Sequence, residues 1–203
     1  QEAVIPEIPQ DSIAGICNKL GLPVTGFIQS PTPRTAIYST AADFSLGTIS
    51  GNWRFEENYT GCETYLFIPQ EPAQARGWPV PLWDRDIPEL LNRIPLNSHV
   101  FFLSDSPQPF SRIQDLQALK SKVDSHLQTL SDNDGLIKQN HIHYVTDRIS
   151  EIGNWVGTML TNPSRGFGID RSQRIRHIGS FADYQRHNPE QQGYEPNLSM
   201  AAN

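Results

Sequence analysis

The chain has 203 residues, 37% of them hydrophobic and 19% charged, which suits one sizeable folded core and excludes wholesale disorder. Its net charge of -6 offers no basis for a nucleic-acid partner, because phosphate binding needs a concentrated basic surface. No apolar run approaches the ~20 residues needed to span a bilayer.

Residues 1–42 read as an irregular N-terminal extension, since Pro6, Pro9, Pro23, Pro31 and Pro33 break any long helix. Within it, Asp11 and Ser12 cap a short helix through Ile13, Ile16 and Leu20 that ends at Gly21. Residues 43–181 form the predicted domain. Two short strands, FSLGTI and NWRFEE, join around Ser50-Gly51-Asn52. From Thr64 the pattern changes to continuous apolar strands separated by helical periodicity, the signature of a sheet covered on both faces.

The first of these strands is Thr64 to Ile68. A proline-rich connection, Pro69 to Trp83, leads to a helix through Ile87, Leu90, Leu91 and Ile94, with Pro88 tolerated in its first turn. His99 to Asp105 is the second strand. Ser111 to Leu130 is the best helix, with Ile113, Leu116, Leu119, Val123, Leu127 and Leu130 at intervals of three and four. Ser131 to Gly135 supplies a closing turn, and His141 to Asp147 is the third strand. Ile149, Ile152, Trp155, Val156 and Met159 mark a last helix, on which Gly153 and Gly157 allow a close backbone approach. It stops before Pro163, whose ring biases Asn162 to an extended conformation. Gly166 to Ser180 forms a β-hairpin around Asp170-Arg171-Ser172-Gln173, with Arg171, Arg174 and Arg176 as solvated positions. Residues 182–203 are a polar tail that stops without a cap, as a fragment would.

Several features point outward. The chain opens at Gln1 without Met or a signal-like apolar segment, as a processed mature terminus would. Asn58-Tyr59-Thr60 and Asn197-Leu198-Ser199 fit the N-glycosylation pattern, whereas Asn162-Pro163-Ser164 is disqualified by its proline. In an exported protein, Cys17 and Cys62 read first as one disulfide stapling the extension to the first core strand; the alternative is two inert thiols.

This order of elements resembles the thioredoxin-like superfamily, most closely its peroxiredoxin and exported thiol-disulfide oxidoreductase branch. FSLGTISGNWRFEENYTG looks like that branch's lead-in hairpin, TYLFIP like its central strand, and NPSRGFGIDRSQRIRHIG like its closing proline and hairpin. The resemblance spans about Asp43 to Phe181. It implies an α/β fold, a mixed thioredoxin-like sheet flanked by helices, and gives Pro163 the place of the family's cis proline beside the active site. The family's chemistry needs a cysteine thiolate at the start of the helix after the central strand, where the helix N-terminus lowers its pKa. Here that region is PQEPAQARGWPVPLWDRD, without a cysteine, and Cys62 lies before the strand, at its opposite end. Family redox activity is therefore not carried over.

Other constellations are open to local explanation. Asp105, Asp147 and Asp170 stand at predicted strand ends, but Asp147 also suits a helix N-cap and Asp170 a turn. His141 and His143 alternate on a strand and could grip a metal if His99 or His177 supplied a third ligand; the competing reading is a pair of surface imidazoles. Glu56, Glu57 and Glu63 look like a solvated rim. Trp155 reads as core, and Trp78 and Trp83, in the proline-rich loop, as an interaction surface. No G-x-S-x-G elbow or phosphate-cradling loop is present. The expectation is a secreted, redox-inactive thioredoxin-like domain that takes no cofactor and binds a protein partner or assembles with itself. The alternative is an enzyme, either a divergent thiol oxidoreductase using Cys62 or a metal-dependent one using His141 and His143.

Overall fold

The computed structural model describes residues 16–18, 20–29, 32–70, 87–161 and 166–179. Trp78, Trp83, Pro163 and Asn197 lie outside them. The described elements are β1 (Ser45–Thr48), β2 (Gly51–Arg54), α1 (Phe55–Asn58), β3 (Thr64–Pro69), α2 (Ile87–Arg93), β4 (Ser98–Leu103), α3 (Pro109–Leu127), α4 (Asp132–His141), β5 (Ile142–Val145), a 3-10 turn (Ile149–Glu151), α5 (Trp155–Thr161), β6 (Gly166–Ile169) and β7 (Ile175–Gly179).

The seven strands form one sheet in the order β2-β1-β5-β4-β3-β6-β7. Strands β3, β4 and β5 are parallel, while β1 runs antiparallel to β5 and β6 antiparallel to β3. The sheet is mixed, as the sequence resemblance implies. All six residues of β3 and of β4 are buried, because both faces of the sheet are covered.

Side-chain alternation sorts the strands between two cores. Leu66, Ile68, Val100, Phe102, Ile142 and Tyr144 pack beneath α2 and α3. On the opposite face, Tyr65, Phe67, Phe101, Leu103, Val145 and Phe167 meet Phe44, Trp53, Phe55, Trp155 and Met159. Phe67 is stacked between Phe167 at 4.2 Å and Phe101 at 4.8 Å, which locks the closing hairpin to the centre of the sheet. Trp155 is core, as expected, and its indole N–H donates to the Ala42 carbonyl at 3.1 Å.

The elements differ from the sequence expectations in four places. Ser131 to Gly135 does not close a helix but opens one: the Ser131 hydroxyl accepts from the Asp134 N–H at 3.2 Å and caps α4. Ser-Asp-Asn-Asp serves a turn and a helix N-terminus equally well, and the four-residue spacing of Ile137 and His141, both buried, decides for the helix. Gly135 is required there, because a Cβ would come 2.9 Å from the Leu127 carbonyl oxygen. Asp147 caps nothing; its Oδ2 accepts from the Gly47 N–H at 2.7 Å and ties β1 to the end of β5. Gly153 precedes α5 with open space around it, while Gly157 does permit a close approach, its Cβ position lying 2.1 Å from the Ile152 carbonyl oxygen.

The hairpin arginines, fourth, are half-exposed tethers and not merely solvated positions. Arg171 donates to the Pro23 carbonyl at 3.1 Å and Arg174 to the Thr40 hydroxyl at 2.6 Å, while Arg176 lies over the Tyr38 ring. Between them, Gln173 sits at φ +62° with its side chain fully buried. Its amide donates to the Ile28 and Ala41 carbonyls and accepts from the Ile28 N–H at 2.7 Å. The turn of β6-β7 thus binds the segment that precedes the sheet. Asp170, buried, accepts from the Ser172 and Arg174 N–H groups, as turn chemistry predicts.

Candidate functional site

Among the described residues, a dense group of buried ionisable side chains lies where the parallel strands begin. Glu63 immediately precedes β3, His99 is the second residue of β4, His141 ends α4, and His143 follows on β5. The cross-strand register explains their meeting. Tyr65 pairs with His99, and Val100 pairs with Ile142, so one step back along each strand brings His141 alongside His99. Glu63, Tyr65, His99, Phe101, His143 and Val145 share one alternation parity and therefore one sheet face.

The Glu63 carboxylate is the hub. Its Oε2 accepts from the Thr60 hydroxyl at 2.7 Å and faces His99 Nε2 at 3.2 Å, while its Oε1 bonds His141 Nε2. Each imidazole is held from behind as well. His141 Nδ1 lies 2.6 Å from the Ile137 carbonyl oxygen, and His99 Nδ1 lies 2.9 Å from His143 Nε2. Glu63 is 1% exposed, His141 5% and His99 7%, so these groups are out of water. Trp53, Tyr65 and Phe101 wall the cluster, with Tyr65 stacked on the His99 ring at 5.0 Å and Phe101 on His143 at 4.6 Å.

The hydrogen-bond directions follow from the acceptors. A carbonyl oxygen cannot donate, so His141 carries a proton on Nδ1. Its Nε2 then faces an anionic oxygen and needs a cation between: a proton, making an imidazolium, or a metal. With protons alone, His143 Nε2–H donates to His99 Nδ1, His99 Nε2–H donates to Glu63, and His141 is the imidazolium. Burial alone would raise the Glu63 carboxyl, but the facing imidazoles of His99 and His141 outweigh it and hold the group well below the usual carboxylate range. Burial alone would lower His141, but its hydrogen bond to Glu63 and that group's charge leave it raised. Burial keeps His99 below its ordinary value and His143 further below. Among the described residues, Glu63, His99 and His141 form the group whose ligand atoms all lie within 4.8 Å of one another.

This arrangement revises two sequence expectations. Glu63 is not part of a solvated rim; Glu56 and Glu57 are, both paired to the half-exposed Arg54. His141 is not on the strand with His143 but at the end of the helix before it. Of the two candidate third ligands, His99 joins the group, while His177 is on β7, two strands beyond β3. The missed member, Glu63, had one signal: it shares the alternation of Tyr65 and Phe67, apolar residues on the same face. Asp105, Asp147 and Asp170 do not converge. Asp105 is exposed after β4, Asp147 serves β1, and Asp170 serves the hairpin turn.

Cys62, next to Glu63, forms a disulfide with Cys17, with Cα atoms 5.9 Å apart. The chain therefore does carry a cysteine pair, although the segment after β3 has none. Both sulfur-bearing residues are buried, Cys17 at 1% and Cys62 at 0% exposure. The short helical piece at 16–18 ends as expected, with Gly21 at φ +64°. Asn58 is exposed, and its amide donates to the Arg54 carbonyl at 2.7 Å. No helix among the described residues is long and apolar enough to cross a membrane.

No family model and no curated protein sequence matches the chain. Among solved structures it is similar to a protein described as a thiol:disulfide interchange protein DsbE from Chlorobium tepidum, at 12% identity over 83% of this chain and 99% of that one, with a TM-score of 0.44. It is also similar to a yeast mitochondrial 1-Cys peroxiredoxin, at 14% identity over 80% and 84% of the two chains, with a TM-score of 0.41.

Proposed function

We propose that this thioredoxin-like domain is an exported binding or structural module without thiol redox chemistry. The observation that carries the reading is the burial of Cys17 and Cys62 in their mutual disulfide, at 1% and 0% exposure. Thiol-disulfide exchange proceeds by in-line attack on an accessible sulfur, and catalytic cysteines sit in partly exposed, electropositive surroundings. Neither cysteine of this pair is exposed. At the other end of β3, where the resemblance places the nucleophile, residues 70–86 contain no cysteine. A disulfide and two N-glycosylation triplets, at Asn58 and Asn197, accord with export. Trp78 and Trp83, in the proline-rich segment that follows β3, are the proposed contact surface for a protein partner or a second copy, together with Pro163, the position that would inherit the family's active-site proline.

Insulin reduction and peroxide consumption by the untagged chain test this reading. The expected result is no turnover above buffer. Turnover abolished by Cys17→Ser or Cys62→Ser would replace it with the second reading, a divergent thiol oxidoreductase, which the presence of the cysteine pair itself favours. Intact mass before and after reduction and deglycosylation, on protein made in a secreting host, reports the disulfide and the sugars together.

A further inference from the structure

We infer that Glu63, His99 and His141 form a buried binding site for one divalent transition metal ion of the zinc class. Three independent features of the cluster lead there. First, the donor set is two imidazoles and one carboxylate, the borderline ligands that such ions take. Second, the donor atoms converge. His99 Nε2 and Glu63 Oε2 are 3.2 Å apart, close to the edge of about 3.3 Å of a tetrahedron with metal-ligand bonds of about 2.0–2.1 Å, and all three donors lie within 4.8 Å. Third, the far nitrogen of each imidazole already has the partner that metal-bound histidines use to fix their orientation, the Ile137 carbonyl for His141 and His143 Nε2 for His99.

The tautomers follow. With the ion bound, His141 keeps its Nδ1–H on Ile137 and presents a bare Nε2. His99 moves its proton to Nδ1, donating to a His143 Nε2 that has passed its own proton to Nδ1, and likewise presents Nε2. His143 is then a positioning residue that acts through His99. The buried Tyr65 hydroxyl, on the ring stacked against His99, has no hydrogen-bond partner of ordinary geometry, although Thr60 approaches it. The site lies at the start of β3 and stands apart from the reading of the domain as a redox-inactive module.

The test uses the full untagged chain, prepared without added metal, stripped with chelator under mild denaturant, refolded and titrated with Zn2+ and with Co2+. The expected result is one equivalent bound, a visible Co2+ spectrum of a four-coordinate nitrogen and oxygen site, and a Tm rise of about 5–10 °C at a hundredfold excess over Kd. His141→Gln removes the stoichiometric binding, and His143→Gln weakens it about 10–100-fold while leaving one equivalent. His126→Gln, at a half-buried histidine of α3 outside the cluster, changes nothing. Binding below 0.1 equivalents by the refolded wild-type chain (about a tenth of the expected single site), with no Tm shift from either ion, overturns the site whatever the variants do. So does binding that His126→Gln abolishes and His141→Gln leaves intact.

Discussion

Gly61 lies so close beneath Thr25 that a Cβ on the glycine would meet the Thr25 carbonyl oxygen at 2.0 Å. The two backbones are also bonded, the Thr25 N–H donating to the Gly61 carbonyl at 3.0 Å. With φ at +78°, Gly61 is strained for any L side chain even without that neighbour. Gly61→Ala therefore incurs both a left-handed conformation and a clash with backbone that cannot rotate away. A loss of about 2–5 kcal/mol is expected in urea unfolding, whereas Gly51→Ala, at positive φ in open space, loses only the conformational part.

The disulfide beside that contact closes a sequence separation of 45 residues. Cross-linking a loop of that size disfavours the unfolded chain by about 4 kcal/mol on the chain-entropy scale. Cys17→Ser with Cys62→Ser is expected to lower the unfolding free energy by about that much or less. Because both sulfurs are buried, glutathione-level reductant should leave the native protein oxidised. Free-thiol counts with and without denaturant measure this directly.

Glu63 supports the cluster even without metal. Removing one partner of a buried charge pair costs about 3–5 kcal/mol, because the other charge is stranded. Glu63→Ala is expected to lose stability in that range in the presence of chelator. Glu57→Ala, which removes an exposed partner of Arg54, should lose no more than about 1 kcal/mol. Paired thermal melts at neutral pH distinguish the two.

Lys138 predicts a pH dependence. Its ammonium donates to the Leu91 and Ile94 carbonyls at 2.7 and 2.5 Å, yet burial pulls its pKa down to about 8. The unfolded value is about 10.4. Between these values the unfolded chain holds a proton that the folded chain has released, so this residue's contribution to stability rises with pH from about 8 to about 10.4. Below pH 8 both states are protonated and the slope vanishes. Lys138→Met should abolish that rise, measured by denaturant unfolding at half-unit pH steps.

Much of the architecture was legible because burial on two faces writes uninterrupted apolar runs. TYLFI and HVFFL are such runs, and the stripe from Leu116 to Leu127 needs only its period to place the helix. The start of that stripe was less legible: Arg112, not Ile113, takes the buried position, its guanidinium bonding the Thr146 and Ser106 carbonyls. Helix α4 was hidden because its first residues are equally good turn formers and only two of its later side chains carry the pattern. At the candidate site, His99, His141 and His143 were visible as histidines near strand starts, but Glu63 was not. Its burial depends on three partners 3, 36 and 78 positions away, and local sequence carries no trace of such pairings.

Strand β3 is six residues long and buried throughout, with Cys62 and Glu63 before its first residue and Gln70 after its last. At about 3.3 Å per residue it spans roughly 20 Å of apolar interior. No salt ion enters that interior, so the field of a charge gained or lost beside Glu63 is screened far less along the strand than over the wetted surface. The Gln70 end of β3 stays within electrical reach of the histidine cluster.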